Sequence, residues 1–268
     1  MTDDDLFHRG LSFDLGTVMR RRRLLGLLAG AGAATLVGCS SDASPTGGAA
    51  STTTSASDGA CAEIPEETAG PYPGDGSNGP DVLTQSGIVR SDIRSSFGSA
   101  SGVAEGVPLT VNLTIVDTAK GCGAYAGAAV YLWHCDRAGA YSLYSPGVTG
   151  ENYLRGVQAA DGTGLVTFRS IFPGAYAGRW PHIHFEVYAN LAGATSGRNK
   201  IATSQLALPQ AICQAVYATD GYSASVGNLA RTSLTSDMVF GDDGGVHQLA
   251  TVTGSVGSGL VANLTVPV

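Results

Sequence analysis

The chain has 268 residues, 43% of them hydrophobic and only 14% charged, with 38 glycines. That is enough apolar content to bury a core and too little charge for a disordered polar chain, and the glycine share suits short strands joined by many turns. A formal net charge of −7 argues against nucleic acid as a partner.

Residues 1–39 do not read as part of a fold. A cationic cluster, Arg20 to Arg23, precedes an apolar run from Leu24 to Val37, the layout of an export signal. The run is too short and too rich in Gly and Ala for a membrane span. Paired arginines before Leu24 and Leu25 look like a twin-arginine signal, and "LVGC" resembles a bacterial lipoprotein box with Cys39 as the acylated residue. An ordinary signal peptide cut nearby is the alternative. Both readings place the protein outside the cytoplasm, as a cell-surface lipoprotein or an extracellular protein. Residues 40–60 form a Ser/Thr/Ala/Gly tract with no hydrophobic period, expected to be a flexible tether. Residues 61–268 are then a single domain.

Beyond Cys39 the cysteines are Cys61, Cys122, Cys135 and Cys213, an even number that in an exported chain favours two disulfides. Three connectivities are open. Cys122 with Cys135 is the least favoured, because an extended run separates them.

After a Pro/Gly-rich stretch, "CAEIPEETAGPYPGDGSNGPDV", the pattern changes. In "LTVNLTIVD" (109–117) Leu109, Val111, Leu113 and Ile115 alternate with polar residues, the period of a half-buried strand. Further strands are expected at 128–135, 164–171, 182–188, 201–208, 246–253 and 259–268. A short helix is expected at 209–217, where Pro209 precedes apolar residues at helical spacing. Strands without alternating helices imply an all-β fold: an antiparallel β-sandwich of short strands with long loops and one short helix.

Within "GRWPHIHFEVY", His182 and His184 stand at i and i+2 of a strand and therefore project to one face, while Ile183 and Phe185 face the other. Such a pair is either a set of core histidines hydrogen-bonded to backbone or two ligands of a metal, and the neighbours must decide. Tyr176 in "FPGAYAGRW" and Tyr141 in "CDRAGAYSLY" follow small residues at loop positions.

In combination these segments resemble the intradiol ring-cleavage dioxygenases, the catechol and protocatechuate dioxygenase superfamily, and in particular its exported bacterial branch. The matching residues are Trp133…Gly139-Ala140-Tyr141, Asp161-Gly162, Phe168…Ile171-Phe172-Pro173-Gly174-Ala175-Tyr176 and Arg179…His182-Ile183-His184, with "EETAGPYP" before them and "ATSQLAL" after. The resemblance runs from about Glu66 to about Leu208.

It implies one Fe(III) per chain, held by Tyr141, Tyr176, His182 and His184, with O2 as co-substrate. The implied reaction cleaves a catechol ring between its two hydroxyl-bearing carbons to a cis,cis-muconate. Tyr176 is the ligand expected to leave and help accept a proton. Arg179 matches the arginine that stabilises negative charge on the substrate ring, and Gln205 a glutamine beside the same site. Pro71 and Tyr72 are expected to border the pocket, and His134 to be structural. Glu186, on the face of the two histidines, either supports them or is exposed at the strand end. Only Ala177 and Gly178 separate Tyr176 from Arg179, fewer than in many cytoplasmic members, which predicts a more open pocket mouth.

The expected partner is a small catechol-type molecule. The only membrane link is a lipid on Cys39, and a homodimer stays open. Two rival classes remain: a copper or zinc β-sandwich protein built on His182 and His184, and a non-catalytic exported binding module. The first lacks obvious further ligands, since His8 lies in the leader and only His134 and His247 remain, and the second gives no reason for two tyrosines and an arginine at these spacings.

Overall fold

The structure, a computed structural model, describes residues 61–268. The expected export signal and tether lie outside the described residues. In chain order the strands are β1 (Pro108–Asp117), β2 (Gly123–Ala124), β3 (Ala129–Trp133), β4 (Arg155–Ala159), β5 (Leu165–Ile171), β6 (His182–Tyr188), β7 (Lys200–Ala207), β8 (Thr251–Ser255) and β9 (Gly259–Pro267). Two helices, α1 (Gln210–Tyr217) and α2 (Ser223–Leu229), lie between β7 and β8.

The strands form two sheets. In one, β1 runs parallel to β9 and antiparallel to β5, while β8 pairs with β9 and the short β2 with the end of β1. The other is antiparallel throughout, in the order β4-β3-β6-β7. Alternation directs Leu109, Val111, Leu113 and Ile115 of β1 inward, where they share one core with Val130 and Leu132 of β3 and Ile183, Phe185 and Val187 of β6. The fold is the expected all-β sandwich.

The opposite face of the β4-β3-β6-β7 sheet is also covered. Tyr131 and Trp133 of β3 and Tyr188 of β6 pack beneath Val82, Leu83, Ile88 and Tyr141 from the long loops. Every residue of β6 is therefore buried, including its charged and polar ones. Water is excluded from both sides of the strand that carries the two histidines.

Several elements differ from the expectation. β4 was not anticipated, because Arg155 and Gly156 break the apolar pattern. α2 was not anticipated either: its sequence, SASVGNL, is a weak helix former, and docking stabilises it. Ser225 Oγ accepts from Ala175 N, and Asn228 Nδ2 donates to Ala175 O, so α2 grips the backbone one residue before Tyr176. The strand expected at 246–253 begins only at Thr251. A turn with left-handed Gly244 and Gly245 precedes it, and the Gln248 side chain turns inward to Glu67 and Ser204.

One of the two expected disulfides forms. Cys61 and Cys122 are joined, with Cα atoms 5.6 Å apart. Cys135 and Cys213 are instead buried thiols, each directed at its own carbonyl: Cys135 Sγ at Gly174 O (3.4 Å) and Cys213 Sγ at Leu208 O (3.8 Å). Burial pushes both thiols far above the ordinary range, so they behave as small core residues.

Candidate active site

The strand geometry places both imidazoles on the covered face of β6, with their Nε2 atoms 3.0 Å apart. His182 Nδ1 lies 2.5 Å from Trp180 O; a carbonyl can only accept, so Nδ1 carries the proton and Nε2 presents a bare lone pair. His184 lies parallel to the Trp133 ring across the β3–β6 pair, with centroids 5.0 Å apart, and its Nδ1 is buried with no hydrogen-bond partner among the described residues.

Two loops bring the tyrosines to this pair. Tyr176 OH lies 3.1 Å from His182 Nε2, and Tyr141 OH lies 3.5 Å from Tyr176 OH. The glycines of the motif make this approach possible. A Cβ on Gly174 would lie 2.6 Å from Arg137 O, so only glycine lets the Tyr176 loop cross the backbone that leads to Tyr141. Gly139 has φ +88°, and a Cβ there would press on Tyr176 Cβ at 3.2 Å.

Four donor atoms thus converge at 3.0–3.5 Å spacing. Bonds of about 2 Å to a common metal place neighbouring ligand atoms about 3 Å apart, so the spacing suits ligands of one ion. Their protonation states agree. Burial holds His182 down at about 3 and His184 well below the ordinary histidine range, with the Arg179 charge adding to both. Both imidazoles are neutral, the form that binds metal. Burial likewise pushes the Tyr141 phenol well above its usual range, so a cation in the pocket is what would release that proton. Among the described residues no group of three or more His, Cys, Asp or Glu side chains could hold a metal ion. The donor set here is mixed phenol and imidazole.

Arg179 is buried beside this cluster. Its Nε donates to Asp237 Oδ2 (2.9 Å) and its Nη2 to Gln205 Oε1 (2.6 Å), while Gln205 Nε2 donates to Thr68 O (2.8 Å). All six expected site residues therefore meet in one place. Tyr72 lies against Tyr141, ring centroids 4.9 Å apart, as expected of a residue bordering the pocket. His134 is not among the four donors and is structural: Nδ1 donates to Cys135 O, Nε2 meets Ser170 Oγ, and burial lowers it to about 4. Glu186 is fully buried rather than exposed, accepting from Lys200 Nζ and Tyr188 OH.

Sequence reasoning missed two residues. Asp237 lies in "SLTSDMVFG", which reads as a turn. Arg155, fully buried, donates to Tyr72 O, Pro73 O, Ser142 O, Ser142 Oγ and Tyr131 OH, tying the Tyr72 wall to the loop that bears Tyr141. No local pattern marks either one.

A family model described as Dioxygenase matches residues 78–195, a span that contains Tyr141, Tyr176, Arg179, His182 and His184. Among solved structures, an intradiol ring-cleavage dioxygenase from Tetranychus urticae is 25% identical, covering 78% of this chain and 96% of that one, with a TM-score of 0.60. The chain thus matches a dioxygenase family over residues 78–195 and resembles an intradiol ring-cleavage dioxygenase in fold. As a dioxygenase it is an oxidoreductase that uses O2. The dioxygenase domain of a dioxygenase and carbohydrate-binding fusion from Streptomyces sp. SirexAA-E is also similar, at 22% identity over 76% of this chain and 97% of that one, with a TM-score of 0.49. Comparison with curated proteins finds no match. The family span ends before Gln205 and Asp237, so the intradiol dioxygenase assignment itself says nothing of the segment that supports Arg179.

Proposed function

We propose that Tyr141, Tyr176, His182 and His184 bind one Fe(III), and that the enzyme uses O2 to cleave a catechol between its hydroxyl-bearing carbons to a cis,cis-muconate. The observation that carries this reading is the convergence of two phenol oxygens and two neutral imidazole nitrogens, 3.0–3.5 Å apart, beside a buried guanidinium. Anionic oxygen donors favour a hard, highly charged ion, and the absence of a cysteine among the four donors agrees with iron over a thiolate zinc site. When bound, the ferric ion would supply Lewis acidity and a template for both catechol oxygens.

The chain's own residues supply the rest. Tyr141, buried and packed on Tyr72, is the fixed phenol. Tyr176 is only half-buried, on the open side, and is placed to take a proton from an entering catechol hydroxyl. Arg179, held by Gln205 in a water-poor pocket, stabilises negative charge on the substrate ring. Stacked loops over β6 keep bulk water from the reacting atoms.

The deciding experiment is the visible spectrum of the purified mature protein with iron quantified, before and after anaerobic addition of catechol, followed by air. A broad tyrosinate-to-iron band that shifts with catechol and decays as muconate forms is expected. A colourless protein, inert after iron reconstitution, would sink the reading. We further propose export with a lipid on Cys39; mass spectrometry of the membrane fraction showing an unmodified chain that starts elsewhere would reject it.

A further inference from the structure

Asp237 carries four N–H groups on two oxygens. Oδ2 accepts from Arg179 Nε (2.9 Å) and from Trp180 N (2.6 Å), and Oδ1 accepts from Val239 N (2.8 Å) and Phe240 N (3.1 Å). The residue is buried, as is the guanidinium it faces. Phe240, three residues on, has its ring 6.5 Å from that of His182, so the turn at 237–240 lies directly against the ligand cluster.

The other arm of Arg179 is held by Gln205, which in turn is anchored on Thr68 O. The guanidinium is planar, and two anchors at different nitrogens set both its position and the tilt of its plane. One anchor comes from the start of the domain through Thr68. The second comes from the C-terminal segment, beyond the span that the family model matches.

We propose that Asp237 is a positioning residue of the reaction: it fixes the orientation of Arg179 toward the substrate ring, and the 237–240 turn is thereby part of the active site. This rests on the reading of Arg179 as the group that faces the substrate. A carboxylate is required at this place. Asparagine, the isosteric replacement, offers one oxygen to four N–H groups, so its NH2 must confront either the Arg179–Trp180 pair or the Val239–Phe240 pair. In both orientations the buried guanidinium loses the charge of Asp237.

The test uses D237N, R179A, R179K and the D237N/R179A double variant of the mature protein. Two readouts are needed. The first is independent of turnover: in 15N-labelled metal-free protein, the Arg179 Nε–H should give a slowly exchanging resonance that is missing in R179K. In D237N that resonance should be lost to solvent exchange. The second is kinetic: in the iron-loaded enzyme D237N should lower kcat with catechol by about 10²-fold, the scale of a small misplacement of a catalytic group, with KM little changed. In the R179A background the same substitution should have no further effect, because the group it orients is gone. If D237N does not fold, D237E carries both comparisons, keeping the charge but displacing it by one methylene.

Persistence of the Nε–H signal in D237N would overturn the proposal, as would a full additional loss in the double variant, which would mark Asp237 as merely structural. A wild type that consumes no O2 with catechol would overturn the proposed reaction, whereas the Nε–H comparison would still decide whether Asp237 orients Arg179.

Discussion

Replacing Arg155 with methionine tests how the pocket wall is held. The guanidinium is fully buried and makes five hydrogen bonds to Tyr72 O, Pro73 O, Ser142 O, Ser142 Oγ and Tyr131 OH, with no carboxylate within ion-pair distance among the described residues. Methionine fills much of the volume without donating. Pro73 O keeps Tyr131 OH as a donor, and Ser142 Oγ still donates to Tyr153 O, so Ser142 O is the buried acceptor left without its donor, and Tyr72 O loses its tie to Arg155.

At about 1–3 kcal/mol for one buried unsatisfied group and about 1 kcal/mol for the lost bond to Tyr72 O, the direct loss is about 2–4 kcal/mol. Removing a buried cation relieves its desolvation cost and returns part of that. The net expectation is a destabilisation of about 2 kcal/mol. Urea unfolding of the metal-free protein measures it as a lower midpoint at unchanged slope. Because Tyr72 packs on Tyr141, iron affinity should fall as well. A loss below about 1 kcal/mol with wild-type iron affinity would refute the claim that Arg155 holds the wall, since a buried orphaned carbonyl together with the lost tie to Tyr72 O cannot be that cheap.

Tyr176→Phe and His182→Ala should each lose bound iron or turnover, and full activity in either iron-quantified variant would reject the ligand set. Burial raises the Glu67 carboxyl from 4.5 to about 7, against a hydrogen bond from Gln248 that lowers it. The folded state thus keeps a proton that the unfolded chain has released. Stability from this group is full below pH 4.5, is lost as pH rises to about 7, and is flat above, a span of up to about 3 kcal/mol. In Glu67→Gln the slope of stability against pH across that window should shrink; an unchanged slope would place the raised carboxyl elsewhere. Cys61→Ser opens a loop of sequence separation 61 and should cost up to about 4 kcal/mol by chain entropy, read by urea unfolding. A thiol-specific reagent should find Cys135 and Cys213 in denaturant and neither in the native protein, and rapid native labelling would contradict their burial.

Strand periodicity, the β-sandwich class and the shared face of His182 and His184 are legible in the chain before it folds, because they follow from side-chain alternation two residues apart. The sequence also carries the Tyr141 and Tyr176 motif, whose Gly139 and Gly174 are legible as turn residues. Their reason, the crossing of two loops with no room for a Cβ, exists only once the loops meet. Tertiary structure alone decided that the histidine face is roofed by residues 82–88 and 141, which excludes water and holds the imidazoles neutral. It alone paired Cys61 with Cys122 and left the other two cysteines as thiols. Arg155 reaches back to Tyr72 and Pro73, and Asp237 reaches back to Arg179, across separations that no periodicity spans. A buried polar group is satisfied by whatever backbone the fold brings beside it, so its partners can be read only after the chain has closed.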